Sequence, residues 1–125
     1  MRDIEKKIIP AFMNNISLTL GNTQSTGKEL LLHGNVIAKK VKADEYYKDN
    51  KDIAIQRDVK EVILITNAGW NINVTSSRLN ALMQYVGSSS RIFKMNGWHT
   101  LGRTRSRKND DFNNRWIPIV NRRHT

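Results

Sequence analysis

Side chains able to do bond chemistry are sparse in this chain, and cationic ones are abundant. The sequence has no cysteine, which removes disulfides, thiolate metal sites and thiol nucleophiles. Its three histidines are His33 in a Gly-Asn turn, His99 in an apparent hairpin arm and His124 beside the last residue; none has a second ligand at metal-binding spacing. Asp44, Glu45, Asp49 and Asp52 are interleaved with Lys42, Lys48 and Lys51, whereas a hard-cation site needs convergent, under-neutralised carboxylates. Ser88-Ser89-Ser90 lacks a glycine-flanked elbow and a nearby base. The expectation is a non-enzymatic protein that needs no cofactor and no metal.

Binding chemistry is better represented. The 125 residues carry 21 Lys and Arg against 11 Asp and Glu, a formal net charge of +10 and a pI near 10.2. A surplus of that size attracts polyanions, with nucleic acid the foremost partner. The cations concentrate late: Arg103, Arg105, Arg107 and Lys108 alternate with small polar residues, and Arg115, Arg122 and Arg123 follow. Such an arm can track phosphates, while Arg91, Lys94 and Trp98 on the preceding hairpin extend the surface and offer an aromatic face for base stacking. A competing use comes from the apolar island "FNNRWIPIV". Phe112, Trp116, Ile117 and Ile119 have no place in a tail that merely solubilises, so they either fold back or dock on a protein. Another protein is therefore the alternative partner.

The elements that must position these residues follow from periodicity. In residues 3–15, Ile4, Ile8 and Phe12 recur at helical spacing beside Ile9 and Met13, and Pro10 should bend or restart that helix. "ELLL" and "VIAKKV" flank His33-Gly34-Asn35 as two antiparallel strands, with Gly34-Asn35 supplying the turn. The nearly neutral stretch from Lys39 to Glu61 holds seven basic and six acidic residues and reads as a solvated excursion. "EVILIT" is dense in β-branched residues and reads as a buried central strand. In "NVTSSRLNALMQYVG", Leu79, Leu82, Met83 and Val86 fall on one helical face, with Thr75 as the expected N-cap and Gly87 as the stop. "RIFKM" and "WHTLG" surround Asn96-Gly97, a strong hairpin signal, and alternation separates Phe93 from Ile92, with Phe93 the expected core residue. A helix followed by a basic hairpin also imitates a winged helix, with Arg78, Asn80 and Gln84 on the outward face; the strands ahead of it count against that fold.

The sum is an α+β domain of helix, three strands, helix and a two-stranded hairpin, forming a small antiparallel sheet. Residues 1–102 form the compact domain and 103–125 a basic C-terminal extension, with seven basic and two acidic residues in the latter. The longest apolar runs are far too short to span a bilayer and the first fifteen residues are not a signal peptide, so no membrane partner and an intracellular location are expected.

Three segments in this order, "LLLHGNVIAKK", "ITNAGWNINVTSSRLNALM" and "RIFKMNGWHTL", resemble a set of small, mostly uncharacterised proteins encoded by tailed bacteriophages. The resemblance covers residues 23 to 101. It implies a phage origin, hence the host cytoplasm as location and a host or phage protein as the alternative partner, a host enzyme inhibited or modified or a phage assembly; it brings no catalytic or binding residues with it. The charged stretch from Lys42 to Lys60 and the arginine-rich tail exceed the pattern.

Overall fold

The computed structural model describes residues 2–49, 61–69, 72–88, 90–95, 98–104, 107–109 and 116–120. The chain opens with α1 (Asp3–Met13), then β1 (Ser17–Leu20), β2 (Thr23–Thr26), β3 (Glu29–Leu32) and β4 (Asn35–Lys42). α2 (Ala43–Asp49) leads towards β5 (Glu61–Ile65), and α3 (Asn73–Tyr85) precedes β6 (Arg91–Met95), β7 (Trp98–Thr104), β8 (Arg107–Asn109) and β9 (Ile117–Val120). These strands make a six-stranded sheet in the order β1-β2-β3-β4-β5-β9 and a three-stranded sheet in the order β6-β7-β8, with every pairing antiparallel.

The α+β class holds, and the sheet is larger than the sequence suggested. β2 escapes a search for apolar runs because its alternation is built from Thr23 and Ser25, which are buried polar residues facing the core, and β1 offers only Leu18 and Leu20 in four residues. α2 replaces part of the expected excursion: Ala43 and Tyr46 pack on Val41, Val62 and Leu64 on one sheet face. Its apolar content is low because it covers only this small second core.

The main core lies on the other face, beneath α1 and α3. Ile8, Ile9 and Phe12 from α1, Leu79, Leu82 and Met83 from α3 and Val86 at its C-cap meet Leu30, Leu32, Ile37, Ile63 and Ile65 from the sheet. The helical spacing read in both segments thus marks their buried faces. Pro10 causes no break: α1 runs from Asp3 to Met13 with Pro10 in its last turn. There the missing amide leaves only the carbonyl of the exposed Lys6 without its helical partner, while Pro10's own carbonyl accepts from Asn14 N and Asn14 Nδ2.

Turn chemistry is as local as expected, shifted by one residue at the β3–β4 hairpin. Leu32 pairs with Asn35, so the loop residues are His33 and Gly34, both at positive φ (51° and 80°), a type I′ arrangement. Asn35 is the first residue of β4 instead. Gly87, at φ 77°, ends α3 as expected. Thr75 does not cap it: α3 starts two residues earlier at Asn73, its N-cap position is Ile72, and the Thr75 hydroxyl is buried with no hydrogen-bond partner.

The boundary drawn at residue 102 falls inside β7, and β9 completes the main sheet by pairing with β5 through Ile65↔Ile117 and Leu64↔Pro118. Ile117 and Ile119 pack against the main core. Nothing in the local sequence of "IPIV" reveals this, because the strand that receives it lies more than fifty residues upstream.

Candidate functional site

Five of the nine basic residues singled out by sequence lie on the three-stranded sheet. Arg91 and Lys94 lie on β6, Arg103 on β7, and Arg107 and Lys108 on β8. Register sets them near one another: Lys94 stands opposite His99, Arg91 opposite Gly102, Gly102 opposite Lys108, and Thr104 opposite Arg107. Fifteen residues in the three strands hold five Lys or Arg and no Asp or Glu. The segment read as an extended arm is therefore, over 103–104 and 107–109, strand in a basic sheet.

The sheet is anchored on the main core through Ile92 and Leu101, which face each other across β6 and β7. Alternation is as predicted, but its inward side is that of Ile92; Phe93 is half-buried on the opposite face, across from the buried Thr100. The side chain of Asn80 on α3 fastens β6 from outside, its Oδ1 accepting from Ile92 N at 2.7 Å and its Nδ2 donating to Ile92 O at 3.0 Å. Arg91 is exposed, and its guanidinium donates to the carbonyls of Ser88 (2.7 Å) and Ser90 (2.6 Å), which holds it at the root of the sheet.

The winged-helix analogy fails on the same residues. Arg78 is buried, donating from Nη1 to Glu5 Oε2 at 2.6 Å, from Nε to Thr23 Oγ1 at 3.0 Å and from Nη2 to Asn22 Oδ1 at 3.3 Å. Asn80 is committed to β6, so of the three helix residues only Gln84 is exposed. Burial is the largest influence on the Glu5 carboxyl and pushes it up. Hydrogen bonds from Ser77, Arg78 and the Arg2 amide, with the Arg78 charge, outweigh burial and hold Glu5 below its ordinary value of 4.5.

A second feature lies on the face of the main sheet that carries α2. Trp116 is 40% exposed just before β9, and Lys39 Nζ stands 4.2 Å from its ring centroid. Of the apolar island, Ile117 and Ile119 turn inward, whereas Trp116 is left outside. Lys40 points to the opposite face, over the Phe12 ring and donating to Phe12 O and Asn15 Oδ1; burial pushes its ammonium below the usual lysine range, with Glu61 opposing that shift.

Arg105, Phe112, Arg115, Arg122 and Arg123 lie outside the described residues, and Lys94, Trp98, Arg103, Arg107 and Lys108 are placed by backbone alone. Among the described residues no group of three or more His, Cys, Asp and Glu could hold a metal, and no helix is long and apolar enough to cross a membrane. Charge is thus the property that this geometry concentrates.

A family model described as Kyanoviridae Gp96 protein matches residues 1–118. The chain belongs to the Kyanoviridae Gp96 family. It is a phage protein, and the match runs beyond both ends of the 23–101 resemblance, taking in α1, the whole basic sheet and the start of β9. No curated protein and no solved structure matches the chain.

Proposed function

We propose that this Gp96-family chain is a small phage accessory protein that binds nucleic acid through the phosphate backbone, with β6-β7-β8 as the contact surface. The observation that supports it is the exclusion of acidic residues from three adjacent strands that carry Arg91, Lys94, Arg103, Arg107 and Lys108. Phosphate contacts position a polyanion and release its counterions, and they need neither a groove-reading helix nor a pocket. Cations beyond the described residues, Arg105, Arg115, Arg122 and Arg123, add to the same electrostatic attraction.

The test is binding of labelled duplex DNA, single-stranded DNA and RNA by fluorescence anisotropy over a series of salt concentrations. With about five phosphate contacts the log-log slope for duplex DNA is expected near −4 to −5. Undetectable affinity for all three at low salt defeats the proposal.

A protein-binding role is favoured by one observation, the solvent-exposed Trp116 beneath Lys39. Aromatic anchors of this kind dominate interface energies. Partners that survive nuclease treatment in a pull-down and are lost with Trp116→Ala would support it over nucleic-acid binding.

A further inference from the structure

The two edges of the six-stranded sheet are built differently. β9 at one end carries Pro118 and a register irregularity against β5, both of which blunt an edge. β1 at the other end has no charge, no proline and a regular register against β2 from Ser17↔Thr26 to Leu20↔Thr23. Among the described residues no strand pairs with its outer side.

The turn fixes where the backbone groups of β1 point. Gly21, at φ +56°, and Asn22 form a two-residue loop of the type that places glycine first, so Leu20 and Thr23 exchange hydrogen bonds. Alternation then pairs Leu18 with Ser25 in the same manner, and Ser17 and Thr19 direct their N–H and C=O groups away from β2. The side chains alternate in step. Leu18 and Leu20 pack half-buried on the core side, Ser17 and Thr19 are exposed on the other, and Ile16 just ahead is 54% exposed, the most exposed large apolar side chain among the described residues.

We infer that β1 is a homodimerisation edge, pairing antiparallel with β1 of a second copy about a twofold axis at Leu18. In this register Ser17 faces the partner's Thr19 and Thr19 faces the partner's Ser17, so the outward-pointing groups on both strands exchange their hydrogen bonds. Leu18 meets the partner's Leu18 and Ile16 meets the partner's Leu20, which closes an apolar row over the junction of the two cores and leaves the hydroxyls together on the opposite face. A one-residue slip opposes inward-pointing to outward-pointing groups. A shift to either neighbouring allowed register brings Asn15, at φ 61°, or Gly21 of the turn into the pairing, and both lie outside the strand. The edge is thus complementary to itself in one register. Because each copy carries a net +10, the dimer strengthens as salt rises, opposite to the behaviour expected of nucleic-acid binding.

Sedimentation equilibrium of the full chain over a range of concentration and salt tests this. Mass should rise towards twice the monomer value, and Ile16→Lys and Thr19→Pro should each weaken association by at least about tenfold, since each change enters the interface twice. The outward Thr19 amide is not needed by β2, and Ile16→Lys alters an exposed side chain, so at least one variant keeps its fold by circular dichroism. The natural chain lacks cysteine, so Leu18→Cys gives an independent readout: facing residues in a non-hydrogen-bonded pair stand about 4.5 Å apart at Cα and should oxidise to a dimer faster than Lys28→Cys. A monomer at every concentration overturns the inference. So does a dimer insensitive to both interface variants, or Leu18→Cys crosslinking no faster than Lys28→Cys.

Discussion

Glu5 and Arg78 show how completely a polar residue's role depends on partners distant in sequence. The pair joins α1 to α3, and Asn22 and Thr23 at the β1–β2 turn accept from the guanidinium's Nη2 and Nε, so one buried cluster ties three elements together. Removing one member leaves a buried charge uncompensated. Arg78→Met alone should cost about 3–5 kcal/mol by urea unfolding, and the Glu5→Gln/Arg78→Met double variant should lose much less than the two single losses combined. The pH dependence has a definite sign. The folded-state pKa of Glu5 lies below its ordinary 4.5, so on acidification the unfolded chain takes up this proton first. The stability from this group is present above about 4.5 and is lost as pH falls from there through the folded value. Glu5→Gln should flatten that part of the acid limb in denaturant midpoints measured from pH 7 to 3. Thr75 is the opposite case, a fully buried hydroxyl with no partner. Thr75→Val keeps its shape and should stabilise the fold by about 1 kcal/mol in the same melts.

At the scale of elements, the chain is readable wherever local pattern and tertiary burial agree. The faces of α1 and α3, the β3–β4 and β6–β7 hairpins and the buried β5 all satisfy that condition. β2 is hidden because its inward residues are polar: Ser25 donates to Ile16 O and accepts from Gly27 N, and Thr23 accepts from Arg78, so hydrogen bonds take the place of apolar contacts. The basic site was legible as composition, and its form was not. Arg103, Arg107 and Lys108 look like a flexible arm until the register of β8 on β7 is known. Between β2 and β3 one residue is fixed by backbone proximity. Gly27 has φ +94°, and a Cβ there would lie 3.0 Å from the carbonyl oxygen of Asn15. Gly27→Ala should therefore cost about 1–3 kcal/mol, with loss of the β1–β2–β3 meander visible as faster amide exchange in those strands.

Over the whole molecule, charge and fold share the same late segment. Residues 103–125 supply half of the net charge, yet they also contain the end of β7, β8 and the edge strand β9, with Ile117 and Ile119 on the core. An appended binding tail could be removed without harm to the body that carries it; a segment holding a sheet strand cannot. Truncation after residue 102 takes away β9 and uncovers one side of β5, where Ile63 and Ile65 are buried. Burial of two isoleucine side chains is worth about 1.5–3 kcal/mol each, a large share of the stability of a domain this size. The truncated chain should thus lose cooperative thermal unfolding, and its failure to bind nucleic acid would say nothing about the arginines. Charge reversal separates the two roles. Arg107→Glu with Lys108→Glu leaves β9 and the core untouched; it should retain the melting transition within a few degrees while reducing duplex affinity and shrinking the magnitude of the salt slope by about 2. An unchanged slope in a variant that still folds would place the contact surface elsewhere than on β8.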